Sequence, residues 1–315
     1  MKKIKILLIV FLISLPFWLG VNAFQENIEE FFYAKSIEKN PPVLLTAQIS
    51  HQQFESLREE VSEIKAEGVL SVFFEKGKES KVLFEKQKGQ RRPIASLTKL
   101  MTAIVALDFY RSNQIIKISK GAVSKEGKSG NLRVGETLKV KELIRIMMIE
   151  SSNDAAFSLT EPMGEKVFVD LMNIKAKNIG LQDTHFYNST GLDPENYNTT
   201  EKINFSTPSD LIKILQNIIE EYPDLLEIIS LQEYQLYLEN GIFHHNLQNT
   251  NELLGETPKI IGGKTGYTKK AGGCLATISK GKKPQSYFLT AVLNSTDRFG
   301  DTKKLINAYY GNFGN

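Results

Sequence analysis

The chain has 315 residues, 41% hydrophobic and 24% charged, a globular composition with ample apolar material for a core. Its formal charge of +3 rests on Lys2, Lys3 and Lys5. Acid and base balance over the rest, which argues against a nucleic-acid binder.

Met1–Lys5 is basic, Ile6–Gly20 is apolar, and Val21-Asn-Ala23 is a small-x-small cleavage signature. Residues 1–23 therefore read as a secretory signal peptide cut after Ala23, and the bulk of the chain as exported. An uncleaved membrane anchor is the alternative, since an apolar run of about 15 residues is only slightly short of a span. Residues 24–65 form a prefix. Phe24–Asn40 has Phe24, Ile28, Phe31, Phe32 and Ile37 on one side of an amphipathic helix that stops at Pro41-Pro42, and a polar helical run covers Gln52–Lys65. A linker packed on the domain is the favoured reading of this prefix, with membrane docking the alternative.

The main domain is expected over 66–315. Gly68–Glu75 and Lys81–Glu85 are short apolar runs around a glycine-containing polar turn, hence a β-hairpin. Leu97–Leu107 is apolar all round and unbroken by Gly or Pro, hence a core helix opened by Ser96. Ile115–Ser119 reads as a strand, and Val140–Ile149, Asp154–Leu159, Phe168–Asn178 and Ser209–Glu221 as helices. Asn188–Asn196 reads as a long loop. Lys259–Gly262, Gly273–Ser279 and Tyr287–Leu293 return to strand texture before a last helix over Thr302–Tyr310. Strands at both ends with helices between give an α+β class, with an antiparallel sheet built from the N- and C-terminal segments and a helical insertion. Cys274 is the single cysteine, so no intramolecular disulfide forms, and its Gly-Gly-Cys-Leu-Ala setting suits a buried, inert thiol.

The chemistry starts with Ser96 and Lys99, one turn apart on one helix face. A lysine inside a core helix is desolvated, which depresses its pKa and makes it a neutral general base beside a hydroxyl nucleophile. S-x-x-K also occurs at Ser36/Lys39, Ser62/Lys65 and Ser279/Lys282, but in polar surroundings where the lysine stays solvated. The plain alternative is Ser96 as an N-cap with Lys99 snorkelling to solvent. Two further signals follow. Ser151 and Asn153 stand in a turn between two helices, where a hydroxyl and an amide can relay a proton or hold a carbonyl. Lys264-Thr265-Gly266 sits among strand-like runs, where a cation and a hydroxyl suit a carboxylate and glycine allows close approach. Their plain alternatives are a helix cap and a solvated edge-strand lysine.

In the order S-x-x-K, S-x-N, K-T-G, these match the motif set of penicillin-binding proteins and class A β-lactamases. Ala95-Ser-Leu-Thr-Lys-Leu-Met-Thr-Ala103, Ser152-Asn-Asp-Ala-Ala156, Phe186-Tyr-Asn-Ser-Thr-Gly-Leu-Asp193, Asn249-Thr-Asn251 and Gly263-Lys-Thr-Gly-Tyr-Thr268 with Ala271-Gly-Gly-Cys-Leu275 extend the match. Over residues 66–312 the chain resembles the low-molecular-mass D-alanyl-D-alanine carboxypeptidases, peptidase family S11. The resemblance implies the penicillin-binding-protein-like transpeptidase fold and a peptidoglycan stem peptide ending in D-Ala-D-Ala as substrate. It also implies β-lactams as covalent inhibitors, no metal or other cofactor, and a place in the periplasm or on the cell-wall side of the membrane. Ser96 would attack the penultimate D-Ala carbonyl and Lys99 would take its proton. Ser151 and Asn153 would complete the relay, and Lys264 and Thr265 would bind the terminal carboxylate. The backbone N–H groups of Ser96 and Tyr267 would form the oxyanion hole. Many members carry His where this chain has Tyr267. Several add a C-terminal β-domain with an anchor helix, whereas here the sequence ends at Asn315, so any tether is expected at the N-terminus.

A class A-like β-lactamase is the nearest rival, but Glu161 and Glu195 lack the E-x-x-L-N context of a deacylating glutamate. A D,D-endopeptidase, or a penicillin-binding sensor without turnover, is the other alternative. His51, His185, His244 and His245 sit in no triad or zinc-ligand spacing, and are read as loop or core hydrogen-bonding residues.

Overall fold

Both faces of the central sheet are covered, and this explains why its strands read as continuous apolar runs rather than as alternating ones. The structure, a computed structural model, describes residues 63–127, 129–194, 202–257 and 259–312. The expected leader, the Phe24–Asn40 helix and most of the second run lie outside them.

In chain order come β1 (Gly68–Glu75), β2 (Lys81–Lys86), β3 (Arg92–Pro93) and a 3-10 turn over Ala95–Leu97, then α1 (Thr98–Phe109), β4 (Ile115–Lys117) and α2 (Lys120–Val123). β5 (Thr137–Lys139), α3 (Val140–Ile149), α4 (Asn153–Ser158), α5 (Glu165–Asn178), β6 (Phe205–Ser206), α6 (Pro208–Glu221) and α7 (Pro223–Ser230) follow. The chain closes with β7 (Glu233–Tyr237), β8 (Phe243–Gln248), α8 (Leu253–Glu256), β9 (Ile260–Thr268), β10 (Gly272–Lys280), β11 (Ser286–Ser295) and α9 (Arg298–Asn312). The main sheet has the order β2-β1-β11-β10-β9, antiparallel throughout, so the two ends of the domain meet at β1 and β11. This is the expected α+β arrangement, with the helical region inserted between β2 and β9.

Neighbouring residues of each central strand feed opposite cores. Val69, Leu275, Phe288 and Val292 pack under α9, against Leu305, Ile306 and Tyr309. Leu70, Ala276, Leu289 and Leu293 face the helices. Stacking of Phe288 on Tyr309, with centroids 4.4 Å apart, fixes α9 on the sheet. On the other side α1 is fully buried from Thr98 to Ala106. Leu100, Met101 and Ile104 are entirely covered, each stabilising the fold by roughly 1.5–3 kcal/mol.

Three local expectations are corrected. Residues 63–66 are not helical, because the buried Asp301 carboxylate accepts the N–H groups of Lys65 (2.9 Å) and Ala66 (2.8 Å) and draws the backbone out straight. Ile64 is consequently already in the core. Second, the β7–β8 hairpin, α7 and β5 were not anticipated, being short and polar on their outer faces. Third, α1 begins two residues after Ser96. Asp301 also accepts Ser295 Oγ at 2.6 Å. Replacing Asp301 with Ala leaves three donors behind, and we expect a loss of about 3–5 kcal/mol in urea unfolding. Cys274 is fully buried and its thiol is pushed up to about 11 by desolvation. It should therefore resist a bulky thiol reagent at pH 8 until the protein is unfolded.

Candidate active site

The 3-10 turn at Ala95–Leu97 lies where the helical region meets the sheet. Ala95 has φ of 47°, a left-handed conformation that costs a non-glycine residue roughly 1–2 kcal/mol. That strain lifts Ser96 out of the regular helix. Ser96 is half-buried, and the residue at the N-cap of α1 is Leu97, without a side-chain cap. The N-cap reading of Ser96 therefore fails.

Lys99 is wholly buried. Its Nζ lies 3.0 Å from Ser96 Oγ, 2.7 Å from Asn153 Oδ1 and 2.6 Å from the Thr190 carbonyl. These neighbours are neutral, so desolvation dominates and lowers its pKa to about 7, with the charge of Asp154 opposing. Snorkelling is thereby excluded. Lys65 and Lys282, from two of the other S-x-x-K pairs, are exposed.

Ser151 occupies the turn between α3 and α4 at φ of 64°, again left-handed. Its Oγ accepts from Lys264 Nζ at 2.8 Å, and Lys264 also donates to the Thr265 carbonyl at 3.0 Å. Lys264 is 1% exposed, so it is not a solvated edge lysine. Asn153, the first residue of α4, turns its Nδ2 to the Glu126 carbonyl at 2.7 Å, which fixes Oδ1 toward Lys99. The helix cap in this turn is Ser152, which accepts from Ala155 N. K-T-G lies on edge strand β9, as expected. Thr265 Oγ1 is 2.6 Å from Thr250 Oγ1. A Cβ on Gly266 would meet Ile94 O at 2.9 Å and Ser96 N at 3.1 Å, so glycine lets β9 lie against the Ser96 backbone. Tyr267 is 67% exposed at the mouth of the cleft.

All the sequence-predicted residues thus converge, and the structure adds others. The Thr190 carbonyl comes from a loop held by Asn188 and Asn204: Asn188 Oδ1 accepts from Gly191 N at 2.7 Å, and Asn204 Nδ2 donates to Thr98 Oγ1 at 2.9 Å. Only the quoted Asn188-Ser-Thr-Gly pattern pointed there. Asp154 is buried and accepts Gly130 N at 2.9 Å and Ala155 N at 2.8 Å. Arg298 Nη1 donates to the Gly266 carbonyl at 2.9 Å, bringing a cation beside K-T-G; an isolated arginine at a helix start gives no sequence signal. Glu161 accepts from Ser119 Oγ at 2.5 Å through Oε1. Glu195 lies outside the described residues. Among the described residues no group of three or more His, Cys, Asp or Glu is placed to hold a metal ion.

The family model described as D-alanyl-D-alanine carboxypeptidase matches residues 56–297. The chain belongs to this family. It is 33% identical to the D-alanyl-D-alanine carboxypeptidase DacF of Bacillus subtilis over 70% of this chain and 56% of that protein. It is 30% identical to a D-alanyl-D-alanine endopeptidase of Escherichia coli over 72% of each chain. Among solved structures, the Streptomyces K15 DD-transpeptidase superposes with a TM-score of 0.69 at 27% identity, covering 79% of this chain and 98% of that one. The match thus spans little more than half of DacF. Among the described residues no helix is long and apolar enough to cross a membrane.

Proposed function

We propose that the chain is a serine D-alanyl-D-alanine carboxypeptidase acting on peptidoglycan stem peptides and acylated by β-lactams. The observation that carries this reading is the fully buried Lys99, near neutrality and 3.0 Å from Ser96 Oγ.

In this reading Ser96 Oγ attacks the penultimate D-Ala carbonyl while neutral Lys99 takes its proton. The carbonyl oxygen charges against the N–H groups of Ser96 and Tyr267, where losing one donor typically costs about 100–1,000-fold. Asn153 Oδ1 holds the Lys99 ammonium, and the proton passes through the Ser151 hydroxyl to the departing amine. The C–N bond breaks, terminal D-Ala leaves, and an ester to Ser96 remains until water, activated by Lys99, cleaves it. Thr265 and Arg298 receive the terminal carboxylate, with Lys264 holding Ser151 and adding charge. A recess of about 540 Å³ beside Tyr267, Asp193 and Leu192 is available to the acyl side of the peptide. The leader-like residues 1–23 support export to the periplasmic or cell-wall side.

Because Lys99 must be neutral to act, penicillin acylation should rise with pH, fall about tenfold per unit well below pH 7, and level off above it. Rapid-quench rates from pH 5 to 9 check this; a flat profile would rule out Lys99 as the base. A D,D-endopeptidase is the second reading, favoured by the Escherichia coli relative of that name. Comparing D-Ala release from a pentapeptide with cleavage of a cross-linked muropeptide dimer decides between them. Fast D-Ala release is the expected result, and cleavage of the dimer alone would establish the endopeptidase.

A further inference from the structure

Adjacent residues of a β-strand normally point to opposite faces. His244 and His245 do not, because the β7–β8 register shifts: Leu236 pairs with His245 and Tyr237 with Phe243, leaving His244 as the extra residue of a bulge. Their rings meet, with Nδ1 to Nδ1 at 2.5 Å. Each outer nitrogen faces a carboxylate. His244 Nε2 lies 2.9 Å from Glu136 Oε1, at the β4–β5 turn, and His245 Nε2 lies 3.0 Å from Glu150 Oε2, at the end of α3. The four side chains are between 7% and 17% exposed.

At the His245 Nε2–Glu150 Oε2 hydrogen bond the ring N–H is the donor to the carboxylate. Two bare Nδ1 lone pairs, or two Nδ1–H groups, would repel at the separation of the rings. One shared proton satisfies both Nδ1 atoms. A metal ion does not fit between them, since two nitrogens at Zn–N distances of 2.0–2.1 Å and this close together would subtend only about 75°. The contact of His244 Nε2 with Glu136 Oε1 is a close approach that is not aligned as a hydrogen bond.

Glu150 directly precedes Ser151, whose left-handed backbone needs outside support. The chain leaving β8 holds the same turn, through Thr250 N to the Ile149 carbonyl at 3.1 Å, and reaches K-T-G through Thr250 Oγ1. We propose that the Glu136–His244–His245–Glu150 chain, closed by one shared proton, is a positioning device that clamps the α3–α4 turn and aims Ser151 at Lys264 and the reacting amine. This rests on the serine acyl-transfer reading. It makes His244 and His245 positioning residues rather than catalytic ones.

The test is penicillin acylation of wild type, His245→Ala and His245→Gln, resolved into initial binding and the acylation step, with proton NMR of the same proteins. Glutamine keeps an N–H for Glu150 but cannot share the Nδ1 proton. Expected are unchanged initial binding, acylation roughly 10- to 100-fold slower in His245→Ala, and partial recovery in His245→Gln. A far-downfield proton resonance should be present in wild type and lost in both variants. Where His245→Ala fails to fold, the Gln variant and the wild-type resonance decide. Wild-type acylation rates in both variants, or a wild-type spectrum without the resonance, would overturn the inference. A wild type that is not acylated at all would instead overturn the serine reading.

Discussion

Replacing Lys99 with Met is expected to slow acylation by penicillin about 10⁴-fold, since among the described residues it removes the group in contact with Ser96 Oγ suited to take its proton. The same substitution should change how stability depends on pH. Folded Lys99 has a pKa of about 7 against 10.5 for an unperturbed lysine. Between those values the unfolded chain binds the extra proton, so this residue's contribution to stability rises with pH across the window. Burial costs most below pH 7, where both states are protonated. Met carries no such dependence. Comparing urea unfolding of the two proteins, the difference should move by about 3 kcal/mol in favour of Lys99→Met on going from pH 9.5 to pH 7. A variant that acylates at the wild-type rate would remove Lys99 from the mechanism, and a constant difference would show that the lysine stays charged in the fold.

Gly191→Ala should be the most damaging single methyl in the site. Its Cβ would stand 2.0 Å from the Ala95 carbonyl oxygen and 3.0 Å from Ser96 N, at a φ of 82° that alanine rarely adopts. Left-handed strain and overpacking against backbone each cost about 1–3 kcal/mol, and no flexible side chain is there to yield. We expect a loss of roughly 3–5 kcal/mol in urea unfolding, from these two terms together. The displaced Ala95–Ser96 peptide should also cut acylation by about 100-fold. Wild-type stability with wild-type acylation would mean that the 188–194 loop does not press on the Ala95–Leu97 turn.

The central sheet and the buried helix were legible because their signals are strong. Leu97–Leu107 is apolar on every side, and α1 is covered on every side from Thr98 to Ala106. Val140–Ile149 was predicted to the residue as a helix, since its apolar period ends at a polar Glu-Ser-Ser turn. The hairpin of β7 and β8 was not legible. Only Leu236 and Leu247 of its side chains are fully buried, too few to set a period. Helix starts were placed late for the same kind of reason. α9 begins at Arg298 rather than Thr302, its first turn carrying polar Asp301 inward to meet the chain at Lys65 and Ala66.

The site shows a similar division. Ser96, Lys99, Ser151, Asn153, Lys264 and Thr265 could be named because their spacing carries chemistry. What the sequence left out are groups that act through the backbone or across long separations: the Thr190 carbonyl, the Arg298 guanidinium and the His244–His245 pair. Consecutive histidines on a strand point apart unless a bulge intervenes, and the bulge at His244 has no residue signature.

Intact-protein mass spectrometry after incubation with a penicillin, on wild type and on Ser96→Ala, tests the account most directly. One penicilloyl adduct on wild type, mapped by peptide analysis to the fragment containing Ser96 and absent from Ser96→Ala, is the predicted result. No adduct, or one on another residue, would contradict the claim that Ser96 is the nucleophile.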